Sequence, residues 1–309
     1  MKAFNVKITG TGFFVPQRIL TNKEIESFAD TTDEWIVKNT GIHERRICEN
    51  GENSSYLGML AGHQAIESSS LNKDDIDMLI VATTTADMLS PSTACIIKDR
   101  LGLTNTIAFD ISAVCSGFLF GMSVAEQYIS SGTYKNILVI GVDIFSTITD
   151  WTRRDCVFFG DGAGAAVLSA SDNAGFRGFT LYSDSIDRIG FNCEHGENFV
   201  MNTRSVYNTA TRVLPIAING VLKKVGMTIN DIDYLIPHQP SIRILKEVAN
   251  QIELPIEKVM MNMKNYGNTV AATIPILLHE SWNKFKIGDI LLFAAIGSGW
   301  TYGASIYEV

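Results

Sequence analysis

The chain has 309 residues, 46% hydrophobic and 19% charged, with a formal net charge of -8. It is long and apolar enough for one large core or two joined ones. The absence of clustered Lys and Arg argues against wholesale nucleic-acid binding, and the net charge speaks to solubility rather than to a partner. Cys48, Cys95, Cys115, Cys156 and Cys193 are odd in number and not tightly spaced. A disulfide framework is therefore not expected, and a reducing cytoplasmic compartment is. Met1-Lys2-Ala3-Phe4 leads straight into a strand pattern without the apolar core of a signal peptide. Apolar runs such as Ile290 to Ile296 are too short to span a bilayer, so no membrane association is expected.

In chain order, Tyr56, Leu57, Leu60, Ala61 and Ala65 recur at helical spacing and predict a helix over Ser54–Ser68. The continuous apolar runs Met78 to Val81 and Ile137 to Val142 predict buried strands. Ser169 to Gly175 is polar and rich in small residues, as a linker would be. Beyond it, Leu214 to Val225 and Ile242 to Ile252 have helical spacing, and Tyr234 to Ile236 and Ile290 to Ala295 resemble the earlier strands. Strands alternating with helices predict an α/β architecture with largely parallel central strands.

The chain also echoes itself. Asp75-Ile76-Asp77-Met78-Leu79-Ile80 is matched by Asp231-Ile232-Asp233-Tyr234-Leu235-Ile236, and Asn136–Ile140 by Asp289–Phe293. Gly160–Val167 is matched loosely by Gly297-Ser298-Gly299 and Gly303–Ile306. The shared order of the echoes predicts two copies of one unit, 1–170 and 171–309, not a solenoid.

Cys115 follows the strand-like run Phe109-Asp110-Ile111 and precedes a helix-like run. A free Cys is more often a buried structural residue, but a thiol at a helix start is expected to have a lowered pKa and nucleophilic character. His238 sits at the end of a predicted strand, where parallel α/β sheets place reacting groups; it could equally be a core histidine. Asn268 precedes small residues and reads either as a helix cap or as an oxyanion donor. A Cys, a His and an Asn brought together point to acyl-thioester chemistry. The Gly297–Gly303 segment lacks the following helix and acidic residue of a dinucleotide loop, and instead permits close backbone approach. Gly160–Gly164 reads as a tight turn. Cys193-Glu194-His195 lacks two further ligands, so no metal site is expected.

These motifs together resemble the thiolase superfamily, specifically the β-ketoacyl-acyl-carrier-protein synthase III family. The resemblance rests on Thr32-Asp33-Glu34-Trp35-Ile36, Thr40-Gly41-Ile42, Pro91-Ser92-Thr93-Ala94-Cys95 and Cys115-Ser116-Gly117-Phe118. It continues through Phe159–Ala165, Pro237-His238-Gln239, Tyr266-Gly267-Asn268-Thr269 and the last glycine loop. It implies a five-layered α-β-α-β-α fold of two similar halves, in a homodimer. It further implies a Cys115–His238–Asn268 triad that takes an acyl group from acyl-CoA onto the thiol and condenses it with malonyl-acyl carrier protein, with loss of carbon dioxide. The backbone N–H groups of Cys115 and Gly297 would form an oxyanion site, and no metal or redox cofactor would be needed.

The resemblance assigns Trp35 and Arg153 to the CoA adenine and carries Thr203 and Tyr207 into the CoA-binding set. Leu89 and Ser90 fall at the acyl pocket, across the dimer, where a side chain as small as Ser90 leaves room for a longer or branched primer. Arg243 falls at the carrier-protein docking surface. Departures from the family pattern are Asn39 for Arg, Pro240-Ser241 for Ala-Asn, Met201-Asn202-Thr203 for Met-x-Gly, Tyr207-Asn208 for Phe-Lys, and Asn250 and Gln251 for a basic pair. Asn39 removes a phosphate contact and Pro240-Ser241 an amide near the pantetheine channel, while Asn208, Asn250 and Gln251 weaken the basic docking set and leave open a specialised relative that uses a CoA thioester or small-molecule acceptor. A cysteine hydrolase or a non-catalytic acyl-binding homologue are further alternatives.

Overall fold

The computed structural model describes residues 4–49, 51–173, 175–187 and 189–309. Met1–Ala3 and Ala174, which fall in the predicted leader-free start and the linker, lie outside the described residues. The first strand, β1, is Asn5–Phe14. With β2 (Met78–Ala82), β3 (Ile107–Ile111), β4 (Asn136–Asp143) and β5 (Gly162–Ser171) it forms a five-stranded sheet in the order β1-β5-β4-β2-β3. Phe176–Ser183 (β6), Tyr234–Pro237 (β7), Ile290–Gly297 (β8) and Thr301–Glu308 (β9) form a second, four-stranded sheet in the order β7-β8-β9-β6.

The sheets are mixed rather than largely parallel. β2 runs parallel to β3 and β4, and β7 parallel to β8. β5 is antiparallel to β1 and β4, and β9 to β8 and β6. The reason is local: β4 to β5 and β8 to β9 are joined by 3₁₀ turns or a glycine turn, without the crossover helix that a parallel pair needs. Gly162 and Gly164 are accordingly strand residues, and the expected linker is shorter than its polar composition implied, because β5 runs on to Ser171 and β6 starts at Phe176.

Seven helices of eight or more residues are named here: α1 (Asp33–Thr40), α2 (Ser54–Ser68), α3 (Thr93–Leu101), α4 (Gly117–Ser130), α5 (Thr203–Val225), α6 (Ile242–Gln251) and α7 (Thr273–Ser281). α2 packs on the outer face of the first sheet and α5 on the outer face of the second, while α4 and α7 lie between the sheets and touch both. The layers are therefore helix, sheet, helix, sheet, helix, each apolar face covered by the next. α4 lies close to the first sheet because it has glycine on that face. A Cβ at Gly117 would lie 2.9 Å from the Ala82 Cβ, and one at Gly121 2.9 Å from Val139 Cγ1. This central layer carries the turns that form the site.

Candidate active site

Cys115 stands in the turn between β3 and α4: the strand ends at Ile111, Val114–Ser116 makes one 3₁₀ turn, and the helix follows. Val114, just before the thiol, has φ 47°, a left-handed conformation that a β-branched residue adopts only when its surroundings impose it. The turn is held from the second sheet. Thr301 donates its hydroxyl to the Ala113 carbonyl at 3.1 Å, and its Oγ1 lies 2.7 Å from Ser116 Oγ. Gly297, at the end of β8, abuts the same backbone: a Cβ there would lie 2.5 Å from the Ala113 carbonyl oxygen and 3.0 Å from the Cys115 nitrogen. Only glycine fits, so the close approach anticipated for this loop is realised.

His238 is the first residue after β7. Its backbone N–H donates to the Ala294 carbonyl of β8 at 2.8 Å, and its ring Nδ1 lies 2.8 Å from Thr273 Oγ1. Asn268 is clamped by the first half of the chain: its N–H donates to Phe158 O at 2.9 Å and its carbonyl accepts from Gly160 N–H at 3.1 Å. Its side-chain Oδ1 accepts the Val270 N–H at 2.9 Å. That bond fixes the amide rotation and leaves the NH₂ group as the free end, a donor. Val270 itself has φ 52°, so strained residues stand beside both the thiol and the carboxamide.

Cys115, His238, Asn268 and Gly297 line one cavity of about 330 Å³, together with Trp35, Asn39, Thr203, Tyr207 and Arg243. Cys115 and His238 are buried at its inner end (5% and 3% exposed), whereas Arg243 is exposed. Burial, with the Asp143 carboxylate second, pushes the Cys115 thiol well above its ordinary value. This reverses the expected lowering: in a dry site next to a buried carboxylate, loss of hydration outweighs the helix start. Burial also lowers the His238 imidazole to about 3, so the ring is neutral.

Near the thiol, Asp143 Oδ1 accepts from the Thr84 N–H and hydroxyl, both at 2.7 Å, and Oδ2 accepts from Ala271 N–H at 3.1 Å. Asp143 therefore ties the loop after β2 to the turn that carries Asn268.

The structure places the peripheral candidates as follows. Arg153 is paired with Asp155 at 2.8 Å. The neighbouring Arg154 lies over the Trp35 ring, 5.4 Å from its centroid, and is held by Asp30 at 2.7 Å. An Arg-Arg pair in sequence does not reveal which guanidinium faces the ring. Arg243 lies 5.6 Å from the Tyr207 centroid and donates to Asn39 Oδ1 at 3.2 Å, so it forms part of the cavity wall. Leu89 and Ser90 do not reach the cavity of their own chain; both are exposed, Leu89 by 95%. Thr273, Asp143 and the aromatic wall of Phe158, Phe159 and Phe191 were not singled out by the sequence reading. The one available signal for Asp143 was a carboxylate closing an otherwise apolar strand run.

Residues 109–185 match the family model for 3-oxoacyl-[acyl-carrier-protein] synthase III, and residues 222–309 match the model for its C-terminal part. A Geobacillus kaustophilus β-ketoacyl-[acyl-carrier-protein] synthase III is 44% identical over 301 residues, covering 96% of each chain. A Bacillus pumilus protein of the same name is 41% identical over 304 residues, covering 97% of each. The crystal structure of 3-oxoacyl-[acyl-carrier-protein] synthase III from Aquifex aeolicus VF5 superposes with a TM-score of 0.97 at 38% identity, over 99% of this chain and 100% of that one. With near full-length relatives, and a cavity built by the very motifs that carried the resemblance, the chain belongs to the 3-oxoacyl-[acyl-carrier-protein] synthase III family.

Proposed function

We propose that this protein is an acyltransferase of the condensing type, which moves an acyl group from acyl-CoA to Cys115 and joins it to the malonyl unit of malonyl-acyl carrier protein. The observation that carries the reading is the single cavity shared by Cys115, His238, Asn268 and Gly297. In the first half, the Cys115 sulfur bonds to the acyl carbon and the bond from that carbon to CoA sulfur breaks. The thiol proton passes to His238 Nε2 and on to the CoA sulfur. The high proton affinity of the thiol calls for such a base, and a neutral imidazole can serve. The Cys115 and Gly297 N–H groups stabilise the oxyanion; one such donor typically lowers a barrier by roughly 3–4 kcal/mol.

In the second half, malonyl loses carbon dioxide and its electron pair passes to an enolate. The free NH₂ of Asn268 and the His238 ring hydrogen-bond the enolate oxygen. The enolate carbon attacks the acyl carbon and expels the Cys115 thiolate, which takes one proton from water. In this reading acyl-CoA is a substrate, with its adenine stacked on Trp35 and Arg153 on its other face, and the protein needs no resident metal or redox cofactor. Thr203, Tyr207 and Arg243 serve the pantetheine and carrier-protein side of the cavity. The working form is a homodimer in which Leu89 and Ser90 of one protomer reach the acyl pocket of its partner. The setting is the cytoplasm, which keeps the five free cysteines reduced. Among the described residues, no helix is long and apolar enough to cross a membrane.

Intact-protein mass spectrometry after incubation with a panel of acyl-CoAs tests the reading. A mass gain of one acyl group that disappears in Cys115→Ala, followed by a β-ketoacyl product once malonyl-acyl carrier protein is added, is the expected result. Release of free acid in place of that product, or no adduct with any acyl-CoA, overturns it. Malonyl-CoA offered in parallel identifies the acceptor.

A further inference from the structure

Thr273 opens α7, is 2% exposed, and has no part in the chemistry above. Its Oγ1 lies 2.8 Å from His238 Nδ1 and 3.0 Å from the Val270 carbonyl oxygen. That carbonyl also accepts the backbone N–H of Thr273, so it does not depend on the hydroxyl. A hydroxyl has one proton to give and lone pairs to receive. Two arrangements therefore keep this buried edge of the ring paired. In one, Nδ1–H donates to Oγ1 while the hydroxyl donates to Val270, leaving Nε2 bare. In the other, the hydroxyl turns its proton to a bare Nδ1, and Nε2 carries the ring proton. A backbone N–H or carbonyl in the same place would accept only one of them.

The two half-reactions proposed above ask opposite things of Nε2: it must receive the thiol proton in acyl transfer and donate to the enolate oxygen in condensation. We propose that Thr273 is a positioning residue for His238, whose two-way hydroxyl lets the buried imidazole present Nε2 as acceptor to the thiol and as donor to the malonyl carbonyl. The change moves no net charge: water takes the proton from one ring nitrogen and returns one to the other, and no bond between heavy atoms is made or broken. Because the ring stays neutral, buried as it is, the pairing at Nδ1 has to come from a partner that can reverse its role.

This inference rests on the condensing reaction, and the experiment separates the two. Enzyme with ¹⁵N-labelled histidine is observed by NMR at rest, and again as the acetyl-Cys115 form with a malonyl thioester analogue bearing a sulfonate in place of the carboxylate. The ring nitrogens are expected to exchange roles between the two states. Thr273→Val should lose that response and slow condensation by about tenfold or more, as one unpaired buried group implies; Thr273→Ser should restore both. A wild-type ring with the same protonated nitrogen in both states overturns the proposal. So does a Thr273→Val enzyme that keeps the response and condenses at the wild-type rate. If the Val variant does not fold, the wild-type and Ser spectra still decide. Acyl-Cys115 and β-ketoacyl product are assayed on the same wild-type samples: their absence defeats the reaction itself, whereas their presence beside an unresponsive ring defeats only the role of Thr273.

Discussion

At Cys115 and His238, burial acts in opposite directions on proton affinity, raising the thiol and lowering the imidazole to about 3. Both groups rest uncharged, so the thiol has to lose its proton as it attacks. Asp143 adds to this by placing a buried carboxyl near the sulfur, itself raised to about 6 by burial. The linkage signs of His238 and Asp143 differ. His238 falls from 6.5 to about 3 on folding, so its contribution is complete above 6.5 and is lost as pH falls toward 3. Asp143 rises from 3.8 to about 6, so its contribution is complete below 3.8 and is lost as pH rises through 6. Over the range from 6 down to 3.8 the two oppose each other. Asp143→Asn should therefore make acid loss of stability steeper in that window, and should also cost stability at neutral pH, because an amide NH₂ would face the Ala271 N–H. Urea titrations at pH 8, 6, 5 and 4 measure both effects; parallel pH slopes for the two proteins would contradict the assignment of Asp143.

Among the elements, α1 shows how a cap reaches function. Thr32 accepts the Trp35 N–H at 3.2 Å, fixing the first turn and with it the ring that faces Arg154. Thr32→Ala should cost about 1 kcal/mol of helix stability. If that energy reaches binding in full, KM for acyl-CoA rises about fivefold with kcat unchanged; steady-state rates over a range of acyl-CoA concentration test this, and a fall in kcat alone would speak against it. α5 shows where sequence patterning stops. Its spacing is legible from Leu214 to Val225, but the helix begins at Thr203, capped by Asn202, and carries Pro215 inside it. Proline normally marks a helix boundary; here the buried face of Thr209, Ala210, Val213, Leu214 and Ala217 holds the helix together across it. α2, with no such interruption, spans the residues its periodicity predicted, Ser54–Ser68.

For the whole molecule, the loop 83–92 leaves the first sheet and presents Met88 and Leu89, 50% and 95% exposed, to solvent. In the proposed homodimer these side chains are the ones that would meet the partner. Leu89→Asp is expected to shift a dimeric protein to monomer in light scattering after gel filtration, and to lower acyl transfer by disturbing the partner's pocket. A wild-type protein already monomeric at working concentration would remove the homodimer from the proposal. By itself, the sequence determined what depends on near neighbours: the alternating helices and strands, the thiol at a strand-to-helix turn, the histidine at a strand end, and the short motifs that carried the family resemblance. Only the tertiary structure decided which of two adjacent arginines faces Trp35, that the thiol is raised rather than lowered, and that Thr273 supports His238. Those properties come from contacts between distant segments, such as Ser116 with Thr301 across 185 positions and Ala271 with Asp143 across 128. Hydration and hydrogen-bond pairing at a buried group are set by whichever atoms the fold packs around it, and a linear pattern does not contain that list.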